Sequence, residues 1–278
     1  MCSFATSVAL SPEKSGFGPL LFAGNIEEGI KNAAKLGFSA VELSLRDSDS
    51  LDREKVTHLL KENNLKVSTI ATGQSYYKDG FSLCAKGAEK RRKVIQRLKG
   101  HIRFASQLGT QVIIGGVRGT FESIPWRHPV PHRLYQATLD SIEESLEYAC
   151  KYGVILTLEP INRYETNFIN TTEEALELLE KLKVENFKIL LDTFHMNIDE
   201  PNLGEAILKA GKHLSFIHFA DSNRFAPGMG HIDFKEVYRS LKKINYQGYI
   251  CAEVLPVPND LLAMKQSIHS LRRLINTR

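Results

Sequence analysis

The feature that most constrains this chain is an alternation that runs from one end to the other. Short apolar runs at Phe4–Ala9, Ala40–Leu45, Lys66–Ala71, Gln111–Gly116, Val154–Glu159, Lys188–Asp192, Leu214–Phe219 and Tyr249–Glu253 alternate with amphipathic stretches at 25–36, 52–63, 88–107, 132–151, 172–183, 203–211, 233–243 and 260–276. Apolar runs of strand length separated by segments of helical period are the pattern of repeated βα units around a parallel sheet. Asn25, Thr172 and Asp233 supply helix start signals. Eight units in 278 residues, with no Gly/Pro/Ser-rich linker between them, favour a closed barrel over an open doubly wound sheet with its Gly-rich first turn. The expected fold is α/β, a single (β/α)8 TIM barrel over residues 1–278.

Composition narrows the function classes. The net charge of +4 is spread over helix surfaces, and its densest group, Lys90-Arg91-Arg92-Lys93, reads as a solvated helix face rather than a nucleic-acid patch. Cys2, Cys84, Cys150 and Cys251 lie far apart without C-x-x-C pairing, so they are expected to be reduced thiols of a cytoplasmic protein. Met1 to Leu10 lack a basic n-region, and no run approaches the roughly 18 apolar residues of a membrane span. Neither nucleic acid nor membrane is expected as a partner.

In a barrel of this kind the chemistry gathers where strands end. The last four strands each end on a metal-ligand residue type: Glu159, Asp192, His218 and Glu253. A charged group at the end of an apolar strand is costly to desolvate unless paired or metal-bound. The spacings of 33, 26 and 35 residues are close to one βα unit each and bring all four to one rim. Three carboxylates and one imidazole form a hard, oxygen-rich set that suits one divalent ion, Mn²⁺ with Co²⁺ or Mg²⁺ as alternatives, and leaves positions open for substrate. Such an ion polarises a carbonyl oxygen and stabilises an enediolate.

The fifth and eighth strands stand three steps apart, about 135° around the ring. Glu159 and Glu253 therefore approach a bound substrate from nearly opposite sides. A carboxylate on each face of a cis-enediolate is what inversion of one carbon needs, one as base and the other as acid. Aldose–ketose isomerisation can pass its proton along one face, so the geometry leans to epimerisation.

The blocks Leu158-Glu-Pro-Ile-Asn-Arg-Tyr-Glu-Thr-Asn-Phe-Ile-Asn-Thr171, Leu191-Asp-Thr-Phe-His-Met-Asn-Ile198, the stretch 217–233 and Cys251-Ala-Glu253 resemble, in order, the signature blocks of the D-tagatose 3-epimerase / D-psicose 3-epimerase group of xylose-isomerase-like barrels. The similarity covers the whole chain and is densest in its second half. It implies that Glu159 and Glu253 are metal ligands and the acid/base pair, that Asp192 and His218 complete the metal shell, and that His195, Arg224 and Glu165 contact the carbonyl end of a ketose. Read without the family, His195, three residues past Asp192, is as readily a loop histidine as a ligand, and Arg224 is a solvated loop charge.

The fourth strand ends Gly115-Gly-Val-Arg118-Gly119 and the second leads to Arg46. A neutral sugar needs no guanidinium, whereas a sugar acid offers a carboxylate that Arg clamps. Arg118 is thus the expected contact to a keto-hexonate, with a phosphate as the alternative ligand, and the blocks Gly73–Gly80 and Ile113–Gly119 resemble the 5-keto-L-gluconate epimerase branch. Arg46 has a plainer reading as a partner of Asp47 or Glu42. The Pro-rich loop around Trp126 is expected either as a wall of the active site or as a subunit contact of a homo-oligomer (dimer or tetramer), and His231 as part of a helix cap. The expected activity is a metal-dependent C3-type epimerase of a ketose or keto-sugar acid. An aldose–ketose or hydroxypyruvate-type isomerase is the alternative within enzymes. A repair endonuclease would need more histidines at strand ends, and a non-catalytic sugar-binding barrel would not need two opposed carboxylates.

Overall fold

In the computed structural model, which describes residues 4–14 and 18–276, the eight apolar runs are eight strands of one closed barrel. The strands β1 (Ala5–Leu10), β2 (Ala40–Ser44), β3 (Lys66–Ala71), β4 (Gln111–Ile114), β5 (Leu156–Leu158), β6 (Phe187–Asp192), β7 (Leu214–Phe219) and β8 (Tyr249–Ala252) pair in chain order. Every pair is parallel, including β1 with β8. The single (β/α)8 barrel is therefore as expected.

Strand periodicity sorts the core into two parts. Val8, Val112, Ile189, Ile217 and Ile250 pack outward against the helices in the main apolar cluster. Their neighbours Ala9, Ile113, Leu190, Phe216 and Cys251 form a second cluster inside the barrel. Successive side chains on a strand face opposite ways, so the residue two places beyond each inner member also faces inward. Asp192 follows Leu190, His218 follows Phe216 and Glu253 follows Cys251 in this way. The apolar inner layer is thus the floor, and the polar strand ends are the next layer up.

Ten α-helices are formed by the described residues: α1 (Ile26–Leu36), α2 (Arg53–Glu62), α3 (Gly73–Asp79), α4 (Ala88–Leu108), α5 (His132–Lys151), α6 (Thr172–Leu182), α7 (Thr193–Asp199), α8 (Leu203–Ala210), α9 (Phe234–Lys243) and α10 (Asp260–Asn276). Asp233 caps α9 by accepting from the backbone of Lys235 and Glu236. The cap of α6 is Thr171 rather than Thr172, with Glu174 closing the reciprocal capping box. Asn25 makes no capping hydrogen bond; its side-chain Nδ2 donates to Glu28.

Two differences from the sequence reading matter for the site. Helices α3 and α7, seven residues each, follow directly on β3 and β6 where loops were expected; both are too short to show helical periodicity. Strand β4 stops at Ile114, and Gly116–Arg118 is a 3-10 turn. Glycine at the turn leaves room for the catalytic side of the barrel: a Cβ on Gly115 would lie 2.2 Å from Glu159 Oε2 and would force that carboxylate to move.

Among the described residues, Cys84, Cys150 and Cys251 are free thiols; Cys2 lies outside them. Among the described residues, no helix is long and apolar enough to cross a membrane.

Candidate active site

The inward parity of the strand ends brings Glu159, Asp192, His218 and Glu253 together, with one ligand atom of each within 4.8 Å of all the others. Their focus is His218 Nδ1, which lies 3.6 Å from Glu159 Oε1, 3.8 Å from Asp192 Oδ2 and 3.5 Å from Glu253 Oε2. Asp192 and His218 are fully enclosed at 0 and 1% exposure. Asp192 divides its carboxylate: Oδ1 accepts from Phe194 N at the start of α7, and Oδ2 turns inward.

Whether these residues fit a metal ion is decided by what they lack. His218 Nδ1 is buried without a hydrogen-bond partner, and Asp192 Oδ2, which faces the same point, makes no hydrogen bond although the Arg224 guanidinium stands 3.1 Å away. Buried polar atoms are nearly always satisfied, and a cation between them would satisfy both. Charge points the same way. Burial pushes Glu253 up to about 8, with the charges of Glu159 and Asp192 adding to it against His218 and Arg224. Burial would also raise Asp192, but Arg224 and His195 outweigh it and hold that carboxyl well below its usual range. Burial opposes charge on His218 as well, yet Glu42 and Glu253 hold the ring well above its usual value. Three carboxylates crowded this closely call for positive charge between them.

Above this group sits a cavity of about 570 Å³, lined among others by Glu159, His195, His218, Arg224 and Glu253. Arg224 pairs with Asp192 Oδ2 at 3.1 Å and with Glu253, and its Nη1 lies 3.1 Å from His195 Nε2. The loop that carries it is folded by Asp221, whose carboxylate accepts from the backbone of Ser222, Gly228 and Ile232. That fold holds Arg224 at a φ of 61°, an uncommon conformation for a non-glycine residue. On the other side Asn162 Nδ2 lies 2.7 Å from His195 Nδ1 and donates to Glu165 Oε1 at 2.9 Å. Tyr77 of α3 donates to Glu165 Oε2 at 3.0 Å across the cavity. His195, Arg224 and Glu165 thus form one connected polar wall.

Residues 30–274 match the model of the xylose isomerase-like TIM barrel family. The chain belongs to that family. Among relatives of this xylose isomerase-like barrel, an L-ribulose 3-epimerase from Methylomonas sp. is 31% identical over 235 residues, which cover 83% of this chain and 79% of that one. A 3-dehydro-D-guloside 4-epimerase from Escherichia coli is 28% identical, covering 84% of this chain and 88% of the other. The crystal structure of a 3-keto-D-glucoside 4-epimerase from E. coli superposes with a TM-score of 0.80 at 25% identity, over 96% of this chain and 99% of that one.

Not every expected residue reaches the cavity of this family member. Arg118 is fully buried and does not line it. The 3-10 turn after β4 carries the side chain behind the site, where Nη1 donates to the Glu159 carbonyl at 2.6 Å and the guanidinium lies 5.9 Å from the Phe168 ring. Burial pushes its pKa down to about 10. The expected clamp on a substrate carboxylate is therefore corrected to a buried support of β5. Arg46 pairs with Asp79 at 2.6 Å, not with Asp47 or Glu42. Trp126 does not line the cavity either; its Nε1 donates to Asn170 and its ring sits between Arg127 and Arg163. His231 lies outside the cavity beside Ser222.

In the sequence Glu42 stands out only as a neighbour for Arg46. In the structure it is fully buried inside the barrel, with Oε2 2.9 Å from His218 Nε2. The signal was available: a carboxylate in mid-strand, with apolar Val41 and Leu43 facing outward, must face the barrel interior.

Proposed function

We propose that this chain is an epimerase of carbohydrates that inverts C3 of a ketose with one Mn²⁺ ion held by Glu159, Asp192, His218 and Glu253. A divalent ion there supplies Lewis-acid polarisation of the substrate's carbonyl and neighbouring oxygens. Glu159 and Glu253 stand on the two sides of the substrate, one removing the C3 proton and the other returning a proton to the opposite face. Which acts first follows from the configuration of the ketose. Arg224 donates to an oxygen atom at the carbonyl end, His195 contacts the same end of the substrate, and Glu165 accepts from a hydroxyl. The connected wall of Asn162, Glu165 and Tyr77 holds these groups in place before substrate arrives, which lowers the ordering cost at the transition state.

The observation that carries this reading is the placement of two carboxylates, from β5 and β8, against the same imidazole nitrogen. Relatives named for 3-epimerisation of ribulose and psicose support it. With Arg118 outside the cavity, the lysine and arginine residues lining it among the described residues are Lys78 and Arg224, and Arg224 is engaged by Asp192 and Glu253. Lys78 is then the side chain that would meet the carboxylate of a keto-hexonate, a partner that a neutral ketose does not need. The test is incubation of the Mn²⁺-loaded protein in D₂O with a panel of ketopentoses, ketohexoses and keto-hexonates. Deuterium at C3 with formation of the C3 epimer is expected; deuterium confined to C1 or C2 would assign an aldose–ketose isomerase instead.

A further inference from the structure

Beneath the four ligands lies a second polar group inside the barrel, formed by Glu42 of β2, His218 of β7 and Cys251 of β8. Glu42 is completely buried. No lysine or arginine among the described residues pairs with it; its ion-pair partner is the imidazole of His218. Cys251 Sγ approaches the same carboxylate oxygen at 3.9 Å. Strands β2 and β7 are not neighbours, since β8 and β1 stand between them, so the contact from Glu42 to His218 crosses the barrel interior. A buried carboxylate is costly unless its partner needs it.

The ring it touches is fixed from both directions. Phe216 meets the His218 ring edge-on, with centroids 5.5 Å apart at 85°, and Nε2 is taken by Glu42. The other nitrogen, Nδ1, has no hydrogen-bond partner and faces Glu159, Asp192 and Glu253. A carboxylate can only accept at Nε2, so Nε2 must carry a proton. In the neutral ring Nδ1 is then left with the lone pair.

We infer that Glu42 is a positioning residue for the metal centre: its carboxylate holds the Nε2–H of His218 and thereby presents Nδ1, in the right tautomer and orientation, to the metal ion. Metal-bound histidines commonly donate their second nitrogen to such an acceptor, and loss of the acceptor costs about 10- to 100-fold in metal affinity or activity. The inference rests on the metal reading of the preceding section and goes beyond it by adding a residue that touches neither metal nor substrate.

The test separates the two. Mn²⁺ affinity is measured by electron paramagnetic resonance titration of the metal-free chain for wild type, Asp192→Asn, Glu42→Gln and Glu42→Leu, with unfolding temperature recorded for each. In parallel, the His218 side-chain ¹⁵N resonances are followed in the Mg²⁺-loaded wild type, assigned by their loss in His218→Asn. The expected result is a Kd weakened about 10- to 100-fold in folded Glu42→Leu, a smaller loss in Glu42→Gln, whose amide oxygen still accepts, and a proton on Nε2. A folded Glu42→Leu that binds Mn²⁺ as wild type does, while Asp192→Asn does not, overturns the role of Glu42 and leaves the metal centre standing. Wild type and Asp192→Asn binding alike overturns the metal centre, and the inference with it. Should Glu42→Leu fail to fold, the Nε2 proton resonance decides: a shift of that resonance between wild type and folded Glu42→Gln supports its hold by Glu42, and the same resonance in both overturns the inference.

Discussion

Glu159 and Glu253, on strands that lie on well-separated parts of the barrel wall, each bring a carboxylate oxygen to within 3.6 Å of His218 Nδ1. In the proposed mechanism the same two groups hold the ion and face the substrate, so metal binding and proton transfer would share their side chains. Chelation is expected to abolish turnover, and Mn²⁺ or Co²⁺ to restore it better than Zn²⁺ or Ca²⁺, because the set is oxygen-rich and the substrate must enter the coordination shell. Steady-state assays after dialysis against a chelator check this. Full activity in the stripped protein would contradict it.

Glu159→Gln and Glu253→Gln keep the shape of each side chain but remove its basicity. Each is expected to lower kcat by about 10²- to 10⁴-fold, the usual worth of a positioned acid or base. Both should also weaken Mn²⁺ binding, so rates are to be compared at saturating metal. A variant that keeps more than a tenth of wild-type activity under those conditions has no part in the proton transfer.

Arg118 supplies a test of substrate class that differs from the one its sequence position suggested. Because its guanidinium is buried and bonded to the Glu159 carbonyl, Arg118→Ala is expected to depress neutral and anionic substrates by the same factor. It should also lower stability, because truncation leaves a cavity behind β5 and removes the bond to the Glu159 carbonyl. Specificity constants for a ketohexose and a keto-hexonate, with a denaturation curve, measure both. A loss confined to the acid would restore the clamp.

The contrast between Arg118 and the metal ligands shows what was legible in the sequence. Asp192, His218 and Glu253 were readable because strand parity is strict: an inward residue two places earlier fixes the direction of the next. Glu159 was readable for the same reason. Arg118 was not, because Gly115 ends the strand and a 3-10 turn follows, after which parity no longer predicts direction. Glu42 obeyed parity, but its partner lies 176 residues away, and nothing local names it. Helices α3 and α7, which carry Tyr77 and His195, were missed because two turns of helix leave no period to read.

His101 makes a pH-dependent contribution that lies outside the active site. The imidazole of α4 is fully buried, 2.5 Å from Ser48 Oγ, and burial, aided by the charge of Arg97, pushes its pKa down from 6.5 to about 3. Between those values the unfolded chain binds a proton that the folded chain refuses. The stability this group contributes is therefore complete above pH 6.5 and is lost as pH falls toward 3, with a slope approaching about 1.4 kcal/mol per pH unit. Denaturant unfolding of wild type and His101→Gln at a series of pH values checks it. The variant should show the shallower slope; equal slopes would contradict the assignment.

The most direct test of the whole account is the position of solvent deuterium in a ketose turned over in D₂O by the Mn²⁺-loaded wild type, Glu159→Gln and Glu253→Gln. For the wild type, one deuterium at C3 of the epimer is predicted, with none at C1. Each single variant is predicted to lose net inversion because the far-side proton donor or base is gone. Inversion without deuterium at C3, or label at C1 in place of C3, would contradict proton transfer between two carboxylates on opposite faces.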